Sequence, residues 1–299
     1  MARKLVFVHG RAQQRKDSIA LKKEWIDTWR LGLDAAGLEM PVAETDIRFP
    51  YYGDTLDQLA GGTDPATAAQ VIIRGNDIAT DEKRFANAIA QHIQQKFLSA
   101  DQLAAVAGDQ VVERGPLQWE WFHAVLKAID RHVPGASGAS VALATNDVYQ
   151  YLTNDAVRDT IDDGVMQAME PGVETVVVAH SLGTVVAYRL LRQFGLARGW
   201  RVPQFVTVGC PLGVTEIRET VMKWSPTCCP PCVDAWFNAY DRRDVVALYP
   251  LTTDYFPRDP LLPGIDEYGD VNNQTDNRHG IAGYLDDPVV ARRIYDALI

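Results

Sequence analysis

Thr175-Val176-Val177-Val178-Ala179-His180-Ser181-Leu182-Gly183-Thr184-Val185-Val186-Ala187-Tyr188 reads as a strand, a sharp turn and a helix. The run from Thr175 to Ala179 is β-branched and small, with no polar alternation. That predicts a strand buried on both faces, as in a parallel sheet. From Thr184 to Phe194 the apolar residues recur at helical spacing, so the chain must turn sharply around Ser181. Ala179 and Gly183 flank the serine two positions away on either side. Small residues there let strand and helix approach closely while the serine occupies a strained turn at the strand's carboxyl end. The general pattern is Gly-x-Ser-x-Gly; alanine in first place costs one methyl of clearance. A serine opening a helix is also a preferred cap, so the turn alone leaves both roles open.

Working outward, Gln204-Phe205-Val206-Thr207-Val208-Gly209 is a second buried-strand candidate, which makes a β-α-β unit with the helix before it. At the start of the chain, Lys4-Leu5-Val6-Phe7-Val8-His9-Gly10 predicts another buried strand. Leu21, Trp25, Trp29 and Leu33 then recur at four-residue steps before Gly37, which can end a helix by taking positive φ. Glu44 to Pro50 reads as a further strand. Residues 51–141 change pattern: Phe85, Ile89, Ile93 and Phe97 have helical spacing, and Leu117, Trp119, Trp121, Phe122, Val125 and Leu126 cluster after them. A helix is expected over Asp147–Met169, stopped by Pro171-Gly172. Val233 to Tyr240 is expected as the last major strand and Pro288 to Leu298 as a closing helix. Alternating strands and helices predict an α/β fold with a mostly parallel central sheet flanked by helices. No Gly-, Pro- or Ser-rich linker divides the chain, so residues 1–299 are expected to form one domain with residues 51–141 as a helical insertion.

Composition narrows the function. The chain has 299 residues, 47% of them hydrophobic and 23% charged, which is globular and excludes disorder. With 29 Lys+Arg against 39 Asp+Glu the net charge is −10, which repels a phosphate backbone, and no nucleic-acid partner is expected. No apolar run approaches the roughly 20 residues of a membrane-spanning helix. The amino-terminal apolar stretch runs into His9-Gly10-Arg11 without a small-residue cleavage site, so it reads as a strand and a cytoplasmic location is expected. Three of the four cysteines lie in Cys228-Cys229-Pro230-Pro231-Cys232, unlike a disulfide framework spread through a fold. The C-x-x-C spacing has no second Cys/His pair to complete a zinc site, and no metal is expected. Cys210 reads as a small buried residue. Trp25, Trp29, Trp119 and Trp121 read as packing, and Arg11, Arg15 and Lys16 as a solvated loop.

A serine hydroxyl is a poor nucleophile at neutral pH and needs an adjacent base, oriented in turn by a carboxylate. In the α/β-hydrolase arrangement, which the strand, turn and helix around Ser181 resemble, these partners follow in the chain order serine, acid, histidine. Of the six histidines, His9, His92, His123 and His132 precede the turn and His180 lies in it, which leaves His279. The acid should follow a late strand, where Tyr240-Asp241-Arg242-Arg243-Asp244-Val245-Val246 offers two candidates. Asp244 is favoured; Asp241 is the alternative and could instead organise the turn. Arg242 or Arg243 could pair with either. Donors for an oxyanion are expected from the backbone N–H of Leu182 and from the loop after the first strand, with Arg11 first and Gly10 next.

Taken together, Val6-Phe7-Val8-His9-Gly10, Ala179-His180-Ser181-Leu182-Gly183, Thr207-Val208-Gly209-Cys210-Pro211-Leu212, Asp244-Val245-Val246 and His279 span nearly the whole chain. On these motifs the sequence resembles the α/β-hydrolase superfamily, especially bacterial esterase- and lipase-like serine hydrolases. The resemblance implies the α/β-hydrolase fold, with Ser181 as nucleophile, Asp244 as orienting acid, His279 as base and the 51–141 insertion as a cap. It implies no cofactor and a small-molecule or lipid-like acyl substrate, cleaved as a carboxylic ester. Acyl transfer and thioester or amide cleavage would use the same residues. A silent binding module would be expected to lack one of the three.

Overall fold

The computed structural model describes residues 3–10, 17–53, 69–70, 72–73, 78–107, 118–224, 229–258 and 263–299. Among the described residues six strands form one sheet: β1 (Lys4–Val8), β2 (Ile47–Arg48), β3 (Thr175–His180), β4 (Phe205–Val208), β5 (Trp236–Ala239) and β6 (Ile265–Tyr268). They lie in the order β2-β1-β3-β4-β5-β6 and all pair in parallel. The protein is therefore an α/β fold with a parallel sheet flanked by helices.

Because side chains alternate across a strand, the valine run of β3 serves two cores. Val176 and Val178 join Leu5, Phe7, Val206 and Val208 on one face, under α1 (Ser18–Ala35), α9 (Ala282–Leu285) and α10 (Pro288–Asp296). Phe7 meets Trp25 edge-on at 5.3 Å there. Val177 and Ala179 join Val6, Val8 and Phe205 on the other face. That face carries α7 (Leu182–Phe194), α8 (Thr215–Trp224) and a helical layer: α2 (Thr80–Phe97), α3 (Ala100–Ala107), α4 (Trp119–His132), α5 (Gly138–Thr153) and α6 (Asp155–Met166). Trp25, Trp29 and Trp121 are buried in these cores. Among the described residues no helix is long and apolar enough to cross a membrane.

Four boundaries differ from the sequence reading. Glu44 to Pro50 is a 3₁₀ turn over Glu44–Asp46 followed by two residues that pair with β1 at the sheet edge. The helix expected over 147–169 is two helices that part at Asn154, whose Oδ1 accepts from the Val157 N–H at 3.3 Å and so caps α6. Of Val233–Tyr240 only Trp236–Ala239 joins the ladder, while Val233 makes an isolated bridge to Val202. That strand is also not the last, because β6 adds the far edge.

Chain order and strand order disagree at one place. β2 is laid on one side of β1 and β3 on the other, so the sheet reverses its direction of growth between β1 and β3. In open parallel sheets the crevice at the carboxyl ends of such strands is where ligands bind. Here those ends carry His9-Gly10 and His180-Ser181.

Candidate active site

Ser181 follows β3 directly with φ 54° and ψ −128°, a left-handed conformation that L side chains rarely adopt. The surrounding backbone packs closely about it. Gly183 packs so closely that a Cβ there would collide with the Val8 carbonyl and lie 2.7 Å from the His9 carbonyl. A Cβ on Gly10 would lie 2.6 Å from the Ser181 Cβ. Ser181 N–H donates to the Val208 carbonyl at 3.2 Å, and the Ser181 carbonyl accepts from Thr184 N–H at 2.9 Å and Thr184 Oγ1 at 2.7 Å. The serine makes no side-chain cap to α7. Its hydroxyl instead donates to His279 Nε2 at 2.8 Å.

His279 sits in the loop before α9. Its Nδ1 lies 2.7 Å from Asp244 Oδ2, which fixes the tautomer: Nδ1–H donates to the carboxylate and the Nε2 lone pair faces the serine. Asp244 is fully buried. Burial pushes its carboxyl up, but the His279 imidazole, the Tyr284 hydroxyl and the Val246 N–H outweigh it and hold it below the usual carboxylate range. The Tyr284 hydroxyl donates to Oδ2 at 2.7 Å and the Val246 N–H to Oδ1 at 2.8 Å.

Asp241 is occupied elsewhere. Its Oδ1 accepts from the backbone and Nε of Arg243, both at 2.8 Å, and its Oδ2 from Arg243 Nη2 at 2.5 Å and the Asn273 N–H at 2.8 Å. It organises the acid loop and ties it to the segment that carries His279. Asn273 continues that tie, donating from Nδ2 to the Gly280 carbonyl at 2.9 Å. Arg242 turns outward to the Gly269 carbonyl.

The Leu182 N–H is the first of α7 and has no partner within the helix. Gly10 approaches as described. Arg11, the first expected donor of that loop, lies outside the described residues, as do Arg15, Lys16, Leu117 and Cys228. His9 anchors Gly10: its Nδ1 donates to the Gly10 carbonyl at 2.6 Å while its Nε2 accepts from the Tyr52 N–H at 3.3 Å. The ring is stacked between Phe49 at 5.3 Å and Tyr52 at 4.0 Å, and burial drives its imidazole down to about 4.

Sequence reasoning missed Tyr284 and treated His180 only as part of the turn. Neither has a spacing signal, because each acts through a contact that only the fold creates. Next to the site, a narrow apolar crevice with free space of about 20 Å³ lies between α2, α5, α8 and the acid loop. Phe85, Ile89, Val148, Ile217, Val245 and Val246 are among its walls, and Val245 directly follows Asp244. Cys210, Cys229 and Cys232 are buried free thiols. Among the described residues no three His, Cys, Asp or Glu side chains converge to hold a metal ion.

Comparison of the chain with protein-family models, with curated proteins and with solved structures gives no match.

Proposed function

We propose that this protein is a serine hydrolase of α/β-hydrolase type that cleaves carboxylic esters. One observation carries the reading: a serine at φ 54° bonded through 2.8 Å to His279 Nε2, whose Nδ1 is bonded through 2.7 Å to a buried carboxylate. Nucleophile, base and orienting acid are thus in hydrogen-bond reach of one another. As Ser181 Oγ attacks the ester carbonyl carbon, His279 Nε2 takes its proton and the carbonyl oxygen becomes an oxyanion. The Leu182 N–H and the loop at Gly10 and Arg11 are the donors for that charge. His279 then protonates the departing alcohol as the carbon–oxygen bond breaks. A water gives one proton to His279 and its oxygen to the acyl carbon, the bond from that carbon to Ser181 Oγ breaks to release the carboxylic acid, and His279 returns the proton to Oγ. The apolar walls beside Asp244 favour an uncharged acyl group over a charged one.

Covalent labelling by a fluorophosphonate, read by intact mass and peptide mapping beside Ser181→Ala, tests this. Labelling confined to Ser181, with ester turnover lost in the variant, is the expected result. A folded protein that takes no label overturns the reading. Product analysis with added alcohols separates hydrolysis from acyl transfer.

A further inference from the structure

We propose that His180 is a positioning residue for His279, holding the base's main chain to the same strand end that delivers Ser181; this rests on the hydrolase reading of Ser181 and His279. His180 is the last residue of β3, one position before the serine, and is buried. Its Nε2 lies 2.7 Å from the His279 carbonyl oxygen. A carbonyl can only accept, so the ring carries its proton on Nε2 and donates. The His180 and His279 rings lie 4.8 Å apart, and both rest on Gly209, where a Cβ would come within 3.2 Å of His180 Cδ2 and 3.1 Å of His279 Cε1.

The His279 loop needs such a hold. Arg278, the residue before the base, sits at φ 51°, a strained conformation outside glycine. On the amino side the His279 N–H donates to Asn277 Oδ1 at 3.2 Å. The bond from His180 fixes the carbonyl side. Since Ser181 directly follows His180 at the end of one strand, nucleophile and base are measured from a single rigid reference. A rotation of the loop then cannot open the Ser181–His279 distance without breaking a buried hydrogen bond.

The donor is neutral. Burial drives the His180 imidazole down to about 3; His279 and His9 push the same way, while Asp244 and the bond to the His279 carbonyl oppose them. Tyr284, whose ring lies 6.0 Å away, is itself kept protonated by burial. His180 therefore offers a fixed N–H dipole and no charge that would oppose a cation forming on His279.

The test compares His180→Gln, whose amide can stand where the ring Nε2–H was, with His180→Phe, which keeps bulk and loses the donor. With a soluble ester, His180→Phe is expected to lower kcat by about 10- to 100-fold with KM nearly unchanged, as a small misplacement of reacting groups does. His180→Gln should recover most of that loss. Phe at the wild-type rate, or Gln as slow as Phe, overturns the proposal. If the Phe variant does not fold, His180→Asn takes its place, since its shorter amide cannot reach the carbonyl, and the same ordering is required. A second readout is independent of activity. In ¹⁵N NMR of the wild type, His180 should remain an Nε2–H tautomer and not titrate between about pH 5 and 9. A titrating or Nδ1–H His180 overturns the proposal even when Ser181 takes the label. Absence of label on the wild type overturns the hydrolase reading, and the NMR result then decides the His180 contact by itself.

Discussion

Replacing Gly10 by alanine tests how closely the loop after β1 is fitted to the candidate nucleophile. The added methyl would stand 2.6 Å from the Ser181 Cβ, 3.1 Å from the His180 carbonyl oxygen and 3.2 Å from Ser181 Oγ. Carbon atoms in contact prefer about 3.5–4.0 Å, so roughly 1 Å of separation must be found. The two closest contacts offer no flexible end to give way. The Ser181 Cβ is one bond from a backbone held by Val208 and Thr184, the second is the His180 carbonyl, and the third, Ser181 Oγ, is the group whose aim is at stake. The displacement therefore falls on the turn that aims the serine, or on the loop that approaches it. A shift of about 1 Å in reacting groups costs about 100-fold in rate, or about 2.7 kcal/mol of barrier. Overpacking adds about 1–3 kcal/mol of lost stability. The assay is the second-order rate of fluorophosphonate labelling by intact mass, with the thermal midpoint measured on the same samples. Gly37→Ala is the control, because Gly37 has φ 69° with nothing within 4 Å of an added Cβ. It should lose about 1 kcal/mol of stability from the left-handed backbone and label normally. Gly10→Ala labelling at the wild-type rate would refute the reasoning, since the collision would then have been absorbed without moving Ser181.

Three further outcomes follow from the same geometry. Asp244→Asn is expected to lower ester turnover by about 10³- to 10⁴-fold through the wrong His279 tautomer, whereas Asp241→Asn should mainly lower the thermal midpoint by loosening Arg243 and Asn273; kcat and melting curves of the two variants check this, and the reverse pattern would exchange their roles. Glu267 accepts from Asn238 Nδ2 at 3.1 Å and from the Leu251 N–H at 3.0 Å, and burial pushes its carboxyl from 4.5 up to about 7. Because the folded value is raised, its contribution is present below pH 4.5 and is lost as pH rises through 7; after allowance for its partial exposure, denaturant titrations should show wild type losing about 1–2 kcal/mol relative to Glu267→Gln between those limits, and a pH-independent difference refutes it. Gly164 lies inside α6 with nothing within 4 Å of an added Cβ, so Gly164→Ala should gain about 0.5–1 kcal/mol and raise the melting temperature by about 2 °C.

The parts of the fold legible from sequence were those whose environment is uniform along the chain. β1, β3 and β4 are buried on both faces, and their apolar runs say so. β6 was missed because Ile265-Asp266-Glu267-Tyr268 is an edge strand with one buried residue, and its polar side chains find partners that no local pattern reveals. The break at Asn154 was hidden because the apolar stripe continues across it, and only the cap bond to Val157 marks the new helix. At the site, counting histidines along the chain isolates His279, but no local rule separates Asp244 from Asp241. Both follow one strand; the difference lies in Arg243 and Asn273, which engage Asp241 from its own turn and from a segment some thirty residues away. Tyr284 and His180 were illegible for a related reason: each makes its decisive contact with a group 40 or 99 positions distant.

Burial sorts the charges around Ser181 into an order that suits proton transfer. Desolvation favours the neutral forms of His9, His180, Cys210 and Tyr284, all of them buried within the same region. Asp244 departs from that trend, because four donors facing its two oxygens outweigh the cost of burying its charge. Lys96 of α2 feels the same carboxylate, but its ammonium donates to the Leu248 carbonyl. A full negative charge thus stands 2.7 Å from the His279 Nδ1, surrounded by neutral dipoles in a medium where a charge pair at 4 Å is worth about 4 kcal/mol. The imidazolium that forms when His279 takes the serine proton would be met by a charge already in place. His180 could still donate to the His279 carbonyl as a cation, whereas a protonated His9 could no longer accept from the Tyr52 N–H; either charge would weaken that advantage. Their burial is therefore as much a part of the site as the residues that would carry the reaction.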